Sequence, residues 1–173
     1  MRKKLRNPLS SEWGAKIPMA TVSIHAKTDD AAFSPPTKRR ALFGVASALL
    51  PGALVLANAH ETRREALILL LGHITECLLK SIALKSGDND RELSKQNVRH
   101  NLVELWRLAA IECSQLQMDT PPWVRALNVF HNDPYVSRYM RDVAAYSLPA
   151  IEPALDGVAF LHSHAKDALE SGS

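Results

Sequence analysis

The sequence has little with which to build a covalent or metal-bound framework. Only two cysteines, Cys77 and Cys113, occur in 173 residues. They form no C-x-x-C and share no His/Cys ligand spacing, so neither a disulfide scaffold nor a zinc site is expected. Both fall at apolar positions of predicted helices and read as buried free thiols in a reduced compartment. Strand patterning is absent, as are a G-x-G-x-x-G turn, a P-loop, a G-x-S-x-G elbow and any internal repeat. Each of those motifs carries a specific phosphate-binding or nucleophilic chemistry, and without them no cofactor is expected.

Positive charge is scarce outside one end of the chain. Residues 1–40 hold nine Lys/Arg against three Asp/Glu, leaving twelve against fifteen for the remainder of the 21 and 18 in the whole. The basic pI is therefore a property of the N-terminal stretch. A basic body would argue for a nucleic-acid groove, whereas a basic tail fits a nonspecific polyanion contact or none. Rich in Lys, Arg, Ser, Thr and Pro, residues 1–40 are expected to be a disordered basic tail. Trp13, Met19 and Phe33 are too scattered to offset the entropy of ordering it. Residues 41–173 are long enough for one domain with a core of its own.

That domain is organised around one stretch, Glu61 to Leu84. No Pro interrupts it, charged ends flank an apolar middle, and Gly87 with Ser/Asp/Asn neighbours supplies a stop. From Ala66 to Leu71 it is apolar on every side, as a helix covered by other helices would be. His73, Glu76 and Lys80 then share one face, and Glu76 with Lys80 is a favourably oriented i,i+4 pair. Upstream, Lys38-Arg39-Arg40, apolar Ala41 to Leu56 and Ala57-Asn58-Ala59 imitate a secretory signal. Forty preceding residues, Pro51-Gly52 in the run, and fewer than the roughly 20 apolar residues a span needs argue against it. The segment is expected to remain in a cytoplasmic product with no membrane contact, as a first helix broken or started at Pro51.

After Ser86-Gly87-Asp88-Asn89-Asp90 a third helix is expected to run to about Gln117. Val98, Leu102, Leu105, Trp106, Ala109, Cys113 and Leu116 form its apolar stripe. Asp119-Thr120 before Pro121-Pro122 announces a short fourth helix, carrying Trp123, Leu127 and Phe130 inward and stopping at His131-Asn132-Asp133-Pro134. An irregular aromatic and basic piece, Pro134 to Arg141, leads to a last helix from about Ser147 to Leu169. The fold class is all-α, an antiparallel four- to five-helix bundle.

Ala66-Leu67-x-Leu69-x-x-Gly72-His73-x-x-Glu76-x-x-Leu79-Lys80, then Arg99-His100-Asn101-Leu102-x-x-Leu105, then Leu127-x-x-x-His131-x-x-Pro134-Tyr135-x-x-Arg138-Tyr139, resembles in order and spacing the HEPN domain family. The likeness covers about residues 50–170. It implies a helical bundle, commonly a homodimer, here through the central or final helices. The family includes metal-independent ribonucleases, toxin or antitoxin components and members without known activity. Its ribonucleases carry Arg, four to six residues, then His: a neutral His takes the proton of a ribose 2′-hydroxyl while Arg neutralises charge growing on the phosphate.

In the folded region that pattern is met by Arg125 and His131, with Ala where a polar residue follows the Arg. A six-residue helical step rotates by about 240°, which puts the two side chains on different faces. Arg138, Tyr139 and Tyr135 are ligand-binding candidates, since a guanidinium flanked by phenol rings can hold a phosphate and stack a base. His73 and Glu76 are further candidates, beside plainer readings as a core histidine and a helix-supporting ion pair. His100 with Asn101 reads as local helix-start chemistry. Three functions stay open: a non-catalytic module contacting RNA, a nucleotide or a partner protein; a ribonuclease using His131 with Arg125 or Arg138; and a structural dimer.

Overall fold

A computed structural model describes residues 36–58, 64–84, 89–132 and 148–170. The expected disordered tail, and the Tyr135, Arg138 and Tyr139 candidates, lie outside the described residues. Six helices and no strand occur among the described residues: α1 (Lys38–Ala57), α2 (Arg64–Ala83), α3 (Asp90–Leu93), α4 (Leu102–Glu112), α5 (Pro122–His131) and α6 (Ile151–Glu170). The fold is the all-α helical bundle that the periodicity predicts.

The centre is α2, where thirteen of 20 residues are buried. Its neighbours α1, α4, α5 and α6 all pack on it. Leu71, Ile74, Leu78, Leu79 and Ile82 are wholly inaccessible, and Leu102, Leu105, Leu127, Val158 and Leu161 meet them from α4, α5 and α6. Burial of each such side chain stabilises the fold by about 1.5–3 kcal/mol. Both α1 and α2 are long and apolar enough to cross a membrane, but 72% of the apolar window of α2 is buried by its own bundle, against 11% for α1.

Two boundaries differ from the sequence reading. The first helix neither breaks nor starts at Pro51; it runs through it from Lys38. Proline costs one ladder bond and crowds the preceding turn. Here Pro51 itself lies on the exposed side, and side chains hold the helix start. Thr37 accepts from the Arg40 amide, Arg39 Nε donates to the Ser81 carbonyl, Ser81 Oγ donates back to the Arg39 carbonyl, and Lys38 pairs with Asp90. Lys38-Arg39-Arg40 is thus the first turn of a packed helix, and not the end of the tail. Burial, with Arg40 next to it, lowers the Arg39 pKa.

The third predicted helix is divided. A single turn, α3, is followed by hydrogen-bonded turns up to Asn101, and α4 covers only the middle of the expected run. Asn101 makes the division, because its Oδ1 accepts from the Val103 and Glu104 amides, the side-chain cap that competes with continuing a helix backwards. The Leu102 amide is taken by Asn128 Oδ1 at 2.7 Å, which fastens the start of α4 to α5. At the other end Cys113 turns extended and is only half-buried, whereas Cys77 is buried as expected.

Candidate functional site

The face of α2 that carries Glu76 and Lys80 is covered, so an i,i+4 pair of ordinary surface type becomes a buried one. Lys80 Nζ donates to Glu76 Oε1 at 2.5 Å. Glu76 Oε2 faces two imidazoles, His131 Nε2 at 2.5 Å and His100 Nδ1 at 3.2 Å. An ionised carboxylate only accepts, so each facing ring nitrogen carries the proton. Three elements therefore meet on one carboxylate: α2, the turn before α4, and the last turn of α5.

The charge balance of this cluster follows from its burial. Removal from water pushes Glu76 up, but hydrogen bonds from His131 and Lys80, the Lys80 charge and the His100 bond outweigh it and hold the carboxyl down at about 2. The adjacent Cys77 thiol moves the other way: burial and the Glu76 charge raise it to about 11, against a smaller opposing effect of Lys80. Cys77 is a protonated packing group and no nucleophile. His73 Nε2 lies 3.9 Å from Cys77 Sγ, one turn along the same helix.

Gly72 is what admits His131. A Cβ at that position would stand 2.8 Å from His131 Nδ1 and 3.1 Å from its Cγ, too close for any side chain without displacing the ring. The Gly72-His73 of the motif thus provides a notch on α2 into which the end of α5 inserts. His131 is 2% exposed, and its Nδ1 has no hydrogen-bond partner among the described residues.

The donor atoms of Glu76, His100 and His131 lie within 4.8 Å of one another, close enough to share a metal ion. The set fits an ion network better, because Lys80 already places a cation on the same carboxylate.

Arg125 is not brought to His131. Its Nε donates to the Thr120 carbonyl at 3.0 Å, tying it to the start of α5. His131 closes the same helix six residues later, about 9 Å along the axis. Glu76 and Lys80 form the ion pair anticipated, and α5 ends at His131 as anticipated. His100, whose sequence context points only to helix-start chemistry, is also a member of the cluster. Its place directly before the Asn101 cap was the available signal, since a cap fixes where the preceding residue sits. On α6, His162 shares a hydrogen bond with Ser47 Oγ at 2.8 Å and lies against Phe43. No family model matches the chain, and neither does any curated protein or solved structure.

Proposed function

We propose that the protein is an HEPN-like helical module that binds RNA or a nucleotide without cleaving it. The observation that carries the non-catalytic part is the state of His131: 2% exposed, with Nε2 held by a carboxylate. A general base must come within hydrogen-bond reach of the substrate hydroxyl, and this ring is sealed inside the bundle. The cluster instead anchors the end of α5, the point from which the chain continues into Tyr135, Arg138 and Tyr139. Those residues supply the recognition chemistry, a planar two-donor cation and aromatic faces. Cytoplasmic location and a homodimer belong to the same reading. For the dimer α1 fits better than the covered α2, because residues 41–57 carry no charge and Val45, Leu54 and Val55 are exposed.

The test is RNA and nucleotide binding by Arg138→Lys and Tyr139→Leu at several salt concentrations, with melting temperature followed in parallel. Both variants are expected to bind at least about fivefold more weakly with little change in melting, because Lys keeps the charge but loses the fork. Unchanged binding would remove the recognition site.

A second reading, metal-independent ribonuclease, is favoured by one observation: the His100 side chain is 27% exposed and hydrogen-bonded to Glu76. A carboxylate that orients an accessible imidazole is an arrangement general bases use. In that reading His100, and not His131, would take the proton.

A further inference from the structure

The connection between α4 and α5 forms a cleft with α6 that takes no part in the Glu76 cluster. Its volume is about 410 Å³, within the range of small-molecule sites. One aromatic wall comes from each of three helices: Trp106, Trp123 and Phe160. The rings of Trp106 and Trp123 stand at 89° with centroids 6.2 Å apart, the edge of one packed on the face of the other.

Both tryptophans are held in place from behind. Trp106 is 4% exposed and its Nε1 donates to the Gln117 carbonyl at 2.8 Å. Trp123 rests on Gly157 so closely that a Cβ there would fall 2.2 Å from its ring, and only glycine at that turn of α6 allows the contact. Phe160, in contrast, is 43% exposed although large and apolar. The single ionisable group among the lining residues is Asp119, which is exposed and makes no ion pair among the described residues. Among the described residues no Lys, Arg or His lines the cleft.

We propose that this cleft binds the head of a small organic ammonium ion. The negative faces of indole and phenyl rings attract a cation, and here half-buried Trp123 and exposed Phe160 offer ring surface while the buried Trp106 backs Trp123. Asp119 adds the only full charge among the described lining residues, of the sign that favours a cation. A phosphate would find a carboxylate and no donor of opposite charge, which makes this site distinct from the RNA or nucleotide contact proposed above.

The experiment is calorimetric titration of the full chain with choline, with its neutral isostere 3,3-dimethyl-1-butanol, and with a peptide bearing one trimethyllysine. Choline is expected to bind one per chain and to be preferred over the neutral alcohol by about tenfold. Asp119→Asn and Phe160→Ala are each expected to weaken it by at least about fivefold, with the circular dichroism spectrum and RNA binding unchanged. Equal affinity for the alcohol, no heat with choline at millimolar concentration, or undiminished binding in both variants would overturn the proposal. A clear preference for the peptide would also overturn it, by making the occupant a protein side chain.

Discussion

Glu76→Ala should destabilise the fold by about 3–5 kcal/mol, the cost typical of removing one partner from a buried ion cluster. The carboxylate is the shared acceptor of Lys80, His100 and His131, whose side chains are 16%, 27% and 2% exposed. Its loss leaves an ammonium and a fully buried imidazole with no acceptor among the described residues, and a void between α2 and α5. Against a typical total of about 5–15 kcal/mol this is a large fraction. The control is Glu104→Ala, whose partner Arg107 is half-exposed; there the expected change is below about 1 kcal/mol. Urea unfolding of both variants beside the parent decides it. A Glu76→Ala effect as small as that of Glu104→Ala would mean the cluster is a surface pair in solution.

Acid should dissolve the same cluster in a defined window. Glu76 titrates at about 2 in the folded protein against an ordinary 4.5. A carboxyl with a depressed folded pKa contributes stability that is complete above the unfolded value and is lost as pH falls toward the folded one. The contribution is therefore whole at pH 6 and decays between about 4.5 and 2. The difference in pKa corresponds to about 3 kcal/mol, of which about 2 kcal/mol should disappear between pH 6 and pH 3. Other carboxyls titrate in this range, so the quantity to measure is the parent's loss minus that of Glu76→Gln. Parallel stability profiles for the two proteins would contradict the depressed value.

Much of the fold was legible because it depends on local rules. The all-round apolar run Ala66 to Leu71 could only be a covered helix, and Pro121-Pro122 with Asn132-Asp133-Pro134 bracketed α5 closely. What failed depended on partners distant in sequence. Nothing near Lys38 says that Arg39 will bond Ser81, so a basic run at the end of a polar stretch read as tail. The division of the third helix rested on Asn101, whose capping bonds compete with a continuous apolar stripe that pointed the other way.

The site was half legible for the same reason. The i,i+4 relation of Glu76 and Lys80 is a property of one helix and could be read directly. That His131 would reach the same carboxylate depends on Gly72 leaving room for the ring, a fact about two helices at once. Arg125 and His131 satisfy a spacing pattern, yet the six-residue step separates them along α5, and one side chain reaches back to the Thr120 carbonyl while the other closes on Glu76.

The most direct test of the account is cleavage of labelled single-stranded RNA in EDTA by the full chain, His131→Asn and His100→Ala, each verified as folded by circular dichroism. The parent is expected to bind without cleaving, and neither variant is expected to cleave. EDTA-resistant cleavage by the parent that vanishes in either histidine variant would contradict it, and which variant loses activity would name the base.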